Sequence, residues 1–289
     1  MSLRGLVTLL EANRPTVVIE SGEEYLCYLR GKVRRSSGRI LVGDQVELEP
    51  TEGREAIITQ VLPRRRQLER PPVANVTGIF ACFSVSHPAG SMELLDKRLV
   101  LAALSGIAVE IVVTKADEVA NAMDLDALTS LYQSIGYRVW VTSVHTGDGV
   151  GEWLSTPRQG IWVLTGESGV GKSSLLQAVL PHLLIETGDL SKIGRGQQTT
   201  RWVRLLPIND FWLADTPGYT ALETEIARSD DIKSKFFEWA DAECRFGNCA
   251  HRGEPGCAVL KGLDAGVYAA SRYRSYCVMV DQWVKRWGM

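Results

Sequence analysis

The sequence predicts three structural units: an N-terminal β-barrel, a central α/β domain and a C-terminal helical unit that holds a metal ion. Three observations lead to this division. Short strands separated by turn residues fill residues 1–67, apolar strands alternate with helical stretches over 68–222, and three cysteines and a histidine crowd together within 223–289. A chain of 289 residues is long enough for two or three compact domains.

The composition is that of a globular protein. Apolar residues make up 45% and charged residues 23% of the chain, and the net charge of −2 means that any nucleic-acid-binding surface has to be a local patch. The N-terminal segment lacks the apolar core and cleavage site of a signal peptide, and no run reaches the ~18 apolar residues of a membrane helix. Because clustered cysteines in a larger chain favour metal over disulfides, we expect a protein of the reducing cytoplasm without membrane attachment.

Four strand patterns define the N-terminal unit. They are bounded by turn residues and lie at residues 16–20, 24–29, 45–49 and 55–61. Four or five short strands in about 65 residues are typical of a small barrel such as the OB fold. Basic residues accompany them: Arg30, Lys32, Arg34, Arg35, Arg39, Arg64, Arg65 and Arg66. Two interpretations stay open for these cations, a solvated surface and a phosphate-binding surface for nucleic acid.

The pattern changes to alternating strands and helices in the central region. Apolar strand patterns lie at 78–85, 108–113, 138–142, 161–165, 202–206 and 211–214, and helical spacing occurs at 92–104 and 125–135. Strands of this kind form a mostly parallel sheet that is buried on both faces, so an α/β domain is predicted. Beyond it, residues 227–242 and 268–287 predict two helices, one on each side of the cysteine cluster.

A phosphate-binding loop follows the strand pattern at 161–165. Its residues fit G-x4-G-K-S and open a helix: Gly166, Glu167, Ser168, Gly169, Val170, Gly171, Lys172, Ser173 and Ser174. The glycines let successive N–H groups face phosphate oxygens, and the helix N-terminus adds its partial positive charge. Lys172 is expected to neutralise the β- and γ-phosphates, and the Ser173 hydroxyl is expected to bind Mg²⁺.

The sequence Asp-Thr-Pro-Gly at 215–218 lies downstream of this loop, after the apolar stretch 211–214. An acidic residue at the end of a buried strand can hold Mg²⁺ through water, and a glycine N–H can contact the γ-phosphate. Asp215 and Gly218 are therefore predicted to belong to the nucleotide site.

A base-reading motif precedes the phosphate loop. Thr114, Lys115, Ala116 and Asp117 follow an apolar strand and fit N-K-x-D with threonine in place of asparagine. The carboxylate of Asp117 can accept two hydrogen bonds from guanine N1–H and its exocyclic amine, a donor pair that adenine lacks. GTP and GDP are therefore the predicted nucleotides, and Ser143 and Val144 are predicted to form a second base-contacting loop. We expect Thr114 to shorten or remove one supporting contact without changing the base.

The order of the motifs along the chain is informative. The base reader and its second loop come before the phosphate loop, whereas common GTPases have the base reader last. A circular permutation moves the chain ends and leaves the site unchanged in space. The sequence therefore predicts a circularly permuted P-loop GTPase domain, after which a further domain is attached where nucleotide-dependent switching can act on it.

Four potential metal ligands lie within fourteen residues: Cys244, Cys249, His251 and Cys257. Three thiolates and an imidazole without an open position are typical of a structural, tetrahedral Zn²⁺ site. Unbound cysteines in a loop are the alternative. Cys27, Cys82 and Cys277 are interpreted as core thiols.

Two segments carry a resemblance to a known family. The linker reads LERPPVANV at 68–76, and the cysteine loop reads Cys244-Arg-Phe, then Cys249-x-His251, then Glu-Pro-Gly-Cys257. With a barrel and a permuted GTPase, the chain resembles the RsgA (YjeQ) family of small ribosomal subunit biogenesis GTPases over nearly its whole length. The resemblance implies a cytoplasmic enzyme that hydrolyses GTP to GDP and phosphate, is stimulated by the small ribosomal subunit and its rRNA, and leaves on hydrolysis.

The sequence patterns therefore divide the chain into an OB-fold domain at 1–67 that is predicted to bind RNA, a permuted GTPase domain at 68–222 and a zinc-binding helical domain at 223–289. We expect a monomer. One departure concerns catalysis, since the family stretch R-G-R-H-T-T reads here Arg-Gly-Gln-Gln198-Thr199-Thr200.

Gln198 stands where the family has a histidine that is a candidate for orienting the attacking water. Because glutamine can both donate and accept, we hypothesise that Gln198 does so; a solvated loop residue is the alternative. Either Thr199 or Thr200 is expected to supply a hydroxyl to Mg²⁺, so the predicted catalytic set is Lys172, Gln198, Thr199 and Thr200.

Three other functions compete with this interpretation. One is a GTP-dependent RNA- or protein-binding switch that does not act on the ribosome and hydrolyses slowly. Another is a divergent family member with weakened hydrolysis. An ATPase or kinase is disfavoured by Asp117.

Overall fold

The N-terminal unit is a closed five-stranded barrel. The computed structural model describes residues 2–11, 14–31, 38–179, 203–215 and 229–287. The barrel strands are β1 (Leu3–Glu11), β2 (Arg14–Ile19), β3 (Glu24–Leu29), β4 (Gln45–Pro50) and β5 (Glu55–Val61). Their order is β1-β2-β3-β5-β4, and β4 pairs back onto β1 to close the barrel. Among the barrel strands that the structure describes, only the β3–β5 pair is parallel, and alternate apolar side chains fill the interior.

Strand β1 is the barrel strand that the sequence patterns did not identify. It contacts β2 and β4 in the barrel, and its residue Leu9 also pairs with Arg204 of the central domain. A register shift between Val7 and Leu9 interrupts its alternation. Because β1 joins the barrel to the central strands within one continuous sheet and contains this irregularity, its apolar residues do not follow the period of two that marks an ordinary half-buried strand.

The linker holds the barrel against the central domain. A short hairpin is formed by β6 (Gln67–Leu68) and β7 (Val73–Ala74). Beside it, the Asn75 side chain donates a hydrogen bond to the Gly43 carbonyl at 2.9 Å. Arg64 reaches buried Asp44 with Nε–Oδ1 at 2.7 Å and Nη2–Oδ2 at 2.9 Å. This bidentate pair fixes the linker to the barrel loop.

In the described residues, the central domain contributes six strands to a sheet that continues through β1 into the barrel. Its strands are β8 (Val76–Ser84), β9 (Ala108–Thr114), β10 (Arg138–Val141), β11 (Gly160–Thr165), β12 (Arg204–Ile208) and β13 (Phe211–Asp215). The order is β10-β9-β8-β11-β13-β12, in which the first five are parallel and β12 is antiparallel to β13. All six strands had been predicted, with ends displaced by at most two residues.

Helices cover both faces of this sheet. They are α1 (Met92–Leu104), α2 (Ala122–Ser134), α3 (Val150–Ser155) and α4 (Lys172–Val179), with a 3₁₀ turn at Ala116–Glu118. On one face, Leu95 and Leu99 of α1 and Tyr132 of α2 pack against Ile111. On the other, Phe80, Trp153 and Trp162 form an aromatic cluster. Burial on both faces explains why the strands read as continuous apolar runs.

The C-terminal unit consists of helices around the cysteine loop. They are α5 (Ser229–Lys233), a 3₁₀ turn (Phe237–Trp239), α6 (Ala258–Asp264) and α7 (Ala270–Trp287). The prediction of one helix over 227–242 was wrong for the part that the structure describes, since α5 ends at Lys233. The chain turns there and places Phe236 and Trp239 in the core, with their rings stacked at 4.7 Å.

Within the described ranges, no helix has both the length and the apolar character that a membrane crossing requires.

Candidate nucleotide site and metal centre

The predicted nucleotide-binding residues meet at one edge of the central sheet. The base reader follows β9, the second base loop follows β10, the phosphate loop follows β11, and Asp215 ends β13. These strands are parallel, so their carboxyl ends lie at the same edge. The base-reading residues lie on one side, the phosphate loop is central, and Asp215 is on the other side. The permuted chain therefore brings together motifs separated by about a hundred residues.

The phosphate loop has the backbone conformation that its glycines allow. Gly166, Gly169 and Gly171 have φ angles of 154°, 82° and 92°. A Cβ at Gly166 would lie 2.6 Å from the Cys82 carbonyl oxygen, and one at Gly169 would lie 2.8 Å from Pro88. The loop leads into α4 at Lys172, whose first turn exposes Ser173 and Ser174. Exposed helix N–H groups at this point can bind phosphate.

Lys172 folds back over the loop. Its Nζ donates to the carbonyl oxygens of Gly166 at 2.8 Å and Glu167 at 2.7 Å. Burial lowers the pKa of Lys172, because the charged ammonium loses water there. A phosphate at the loop would favour the charged form and give the ammonium a stronger partner than the carbonyls.

Thr114 joins the base reader to the phosphate loop. Its buried Oγ1 lies within hydrogen-bond distance of the Val170 carbonyl oxygen and 3.3 Å from that of Phe83. The shorter threonine side chain therefore still reaches the phosphate loop through its hydroxyl, and its effect on nucleotide affinity stays a prediction. The sequence could not reveal this, since Thr114 and Val170 are 56 residues apart.

We expect Thr114→Val to weaken GDP binding by about threefold to tenfold, because the Val170 carbonyl loses a buried donor worth roughly 1 kcal/mol or more. Thr114→Ser keeps the hydroxyl and is the matched control. Fluorescence titration with a labelled GDP measures both constants. Equal affinities for the two variants would contradict a role for the hydroxyl.

Asp117 is held in place by the second base loop. The Ser143 hydroxyl donates to Asp117 Oδ1 at 2.5 Å, and His145 Nδ1 lies 3.5 Å from Oδ2. The hydrogen bond from Ser143 is the main cause of the lowered pKa of Asp117. An anionic carboxylate is thus presented at the edge of the sheet, as recognition of two guanine donors requires. The side chain of Val144 is exposed beside this loop.

A further loop, which no sequence motif marks, contacts both the base-reading motif and the phosphate loop. It follows β8, and its His87 carbonyl accepts a hydrogen bond from Lys115 Nζ at 2.7 Å. Pro88 packs on Gly169, and the Ser86 hydroxyl donates to Glu118 at 2.6 Å. Its place in the sequence could have revealed this loop. It follows the carboxyl end of a parallel strand, as the other predicted motifs do.

Asp215 is a partly buried carboxylate at the far side of the site. Burial raises its pKa to about 6, and the charge of Arg204, its partner in the β12–β13 ladder, acts in the opposite direction. A divalent cation at this point would remove the cost of burying the charge. A carboxylate oxygen is a ligand that Mg²⁺ prefers, so Asp215 is compatible with the predicted cation. Gln198, Thr199, Thr200 and Gly218 lie outside the described residues.

The four predicted zinc ligands converge. Their ligand atoms all lie within 4.8 Å of one another. His251 Nδ1 is 3.6 Å from Cys244 Sγ and 3.4 Å from Cys257 Sγ, and those two sulfurs are 4.0 Å apart. An ideal tetrahedral Zn²⁺ site separates sulfur from sulfur by about 3.8 Å and sulfur from nitrogen by about 3.6 Å. The residues therefore fit the ion.

The surrounding residues fix the ligands. Tyr276 and Tyr273 donate to the carbonyls of Ala250 and His251 at 2.6 and 2.8 Å, and the Ala258 amide donates to Cys244 Sγ at 3.3 Å. Glu254 accepts from the Ala250 and Arg252 amides. Such outer contacts orient metal ligands in structural sites. Of the remaining cysteines, Cys27 and Cys82 are buried and Cys277 is partly buried.

Comparison with known proteins gives one consistent family. The model of the RsgA GTPase family matches residues 61–225. The small ribosomal subunit biogenesis GTPase RsgA of Moorella thermoacetica is 38% identical over 284 residues, which cover 96% of this chain and 97% of that protein. The protein of the same name from Thermotoga maritima is 37% identical over 282 residues, covering 96% and 95%.

Two solved structures have the same fold over nearly the whole chain. The crystal structure of YjeQ from Thermotoga maritima superposes with a TM-score of 0.83 at 34% identity and covers 98% of each chain. YloQ, a circularly permuted GTPase, superposes with a TM-score of 0.78 at 27% identity and covers 99% of this chain and 96% of its own.

Proposed function

Because this chain belongs to the RsgA GTPase family and is a GTP-hydrolysing enzyme, we propose that it binds the small ribosomal subunit and hydrolyses GTP during late maturation of that particle. The observation that carries the proposal is the extent of the similarity. Relatives named for small ribosomal subunit biogenesis align over 96% of the chain, so the likeness includes the barrel and the cysteine loop as well as the nucleotide domain.

In this proposal the nucleotide lies along the carboxyl edge of the sheet. Asp117 reads the guanine base, with Ser143 holding its carboxylate. The N–H groups of residues 166–174 bind the phosphates, and Lys172 exchanges its loop carbonyls for phosphate oxygens. Ser173, Asp215 and one of Thr199 and Thr200 hold Mg²⁺, which neutralises phosphate charge when bound.

We place the zinc ion in the C-terminal unit as a structural centre, since Cys244, Cys249, His251 and Cys257 leave no open coordination position. A barrel of this kind can supply an rRNA-binding surface. A family of ribosome-directed enzymes implies a cytoplasmic site of action. We further propose that the protein acts as a monomer on one subunit at a time.

The proposal predicts nucleotide-dependent binding to ribosomal subunits. We expect the protein to cosediment with purified small subunits in the presence of a non-hydrolysable GTP analogue. With GDP we expect this cosedimentation to be lost. Purified large subunits serve as the control. Binding that does not depend on the nucleotide, or that is equal for small and large subunits, would favour the alternative of a GTP-dependent switch that binds another RNA or protein.

Hydrolysis is predicted to depend on Gln198. If its side chain orients the attacking water, Gln198→Ala should lower subunit-stimulated turnover by about tenfold or more without changing GTP affinity. Gln197→Ala is the matched control next to it. Unchanged stimulated turnover at unchanged affinity would contradict this role and leave Gln198 as a solvated loop residue.

A further inference from the structure

Helix α1 lies between the phosphate loop and the C-terminal unit. Its residues Leu95 and Leu99 pack in the core of the central domain, whereas Val100 packs in the core of the C-terminal unit. A single rigid element thus belongs to two hydrophobic cores. Contacts at its N-terminal end and along its length connect it to each side.

At its N-terminal end, α1 is held by the phosphate loop. The Ser91 amide, at the N-cap of α1, donates to Glu167 Oε2 at 2.7 Å. The backbone carbonyl of the same Glu167 accepts from Lys172 Nζ at 2.7 Å. Glu167 therefore connects the helix cap to the segment of the loop that holds the phosphate-binding lysine. A carboxylate at a helix N-terminus is also favoured by the helix dipole.

Further along, α1 is held by the C-terminal unit. Asp96, which is 0% exposed, accepts from Arg272 Nη1 of α7 at 2.5 Å and from the Tyr132 hydroxyl at 2.7 Å. Arg272, 1% exposed, also binds Glu238 with Nε–Oε1 at 2.7 Å. Nearer solvent, Lys97 Nζ donates to Gln282 at 3.3 Å. Breaking a buried pair of this kind is costly, so α1 and α7 move together.

We propose that Glu167 is a positioning residue that fixes the phosphate loop on helix α1, and that α1 thereby connects nucleotide binding to the C-terminal helix α7. The loop can adopt its nucleotide-binding geometry only in agreement with the position of α1, and that position is set by Asp96 and Arg272. Because coupling between two sites is reciprocal, nucleotide at the loop stabilises the docking of α7. The proposal rests on the GTPase activity and is independent of the ribosomal role.

Two substitutions of Glu167 distinguish its hydrogen bond with the Ser91 amide from the negative charge of its carboxylate. Glu167→Gln removes the negative charge beside the phosphates but keeps an amide oxygen that can accept from the Ser91 amide. Glu167→Ala removes both. If only charge mattered, the two variants would bind nucleotide alike.

The test measures GDP affinity of the full-length protein by titration, together with amide hydrogen exchange of the segment around Arg272 with and without GDP. We expect Glu167→Ala to bind GDP about fivefold more weakly than Glu167→Gln. We also expect GDP to slow exchange near Arg272 in the glutamine variant but not in the alanine variant. Equal affinities would overturn the positioning role, and a GDP effect on exchange that survives in the alanine variant would overturn the connection through α1.

GDP binding by the unsubstituted protein distinguishes a failure of the inference about Glu167 from a failure of the proposed function. Failure of the unsubstituted chain to bind GDP would contradict the nucleotide site itself, whereas normal binding with equal variants would contradict only the inference about Glu167.

Discussion

Replacement of Cys257 by serine is expected to unfold the C-terminal unit. A structural zinc site contributes an apparent ~10–16 kcal/mol of binding free energy at neutral pH, which exceeds the stability of most domains. Cys257 lies within 4.8 Å of the other three ligand atoms and directly precedes α6. Without its thiolate, the loop between the 3₁₀ turn and α6 loses the ion that holds it closed.

Three measurements check this expectation. The variant should contain less than one zinc ion per chain by elemental analysis, lose helical circular dichroism, and become sensitive to protease within residues 229–287. Cys277→Ser is the matched control, because Cys277 is a partly buried cysteine of α7 outside the ligand cluster. Full helicity and protease resistance in Cys257→Ser would contradict a structural zinc ion.

Asp117→Asn is expected to exchange the base preference of the enzyme. The carboxylate can accept from both guanine donors, whereas an amide offers one acceptor and one donor group. Xanthine carries a carbonyl where guanine carries its amine, so it pairs with the amide. Losing a charged hydrogen bond and leaving a donor unpaired costs roughly 3 kcal/mol, or about a hundredfold in GTP affinity.

Competition between GTP and xanthosine triphosphate for the nucleotide site measures this change in base preference. Asp117→Asn should bind xanthosine triphosphate more tightly than GTP, the reverse of the unsubstituted protein. Asp148→Asn, in the neighbouring loop, is the control, since Asp148 contacts Thr146 and not Asp117. An unchanged preference for GTP in Asp117→Asn would show that another group reads the base.

The fold class and the family could be predicted because their signals are local in the sequence. The phosphate loop, the base reader and the cysteine cluster are each contiguous, and both the fold class and the family are confirmed. The domain limits and the individual site residues stay predictions. The cysteine spacing alone was enough to predict that the four ligands converge, because one short loop with turn residues can fold around an ion.

Features that depend on distant contacts could not be read from the sequence. Glu167 and Ser91 are 76 residues apart, and Arg272 and Asp96 are 176 residues apart. Periodicity cannot pair such residues, because it describes only which face of an element is buried. The same limit explains the wrong helix at 227–242, where the apolar spacing belongs to α5 and a separate turn that both face one core.

The decisive measurement for a GTPase that acts on the small ribosomal subunit is the turnover of GTP and of ATP, each with and without purified small subunits. We expect slow hydrolysis of GTP alone, strong stimulation by small subunits, and no stimulated hydrolysis of ATP. GTP hydrolysis at a rate that small subunits do not change would contradict this function.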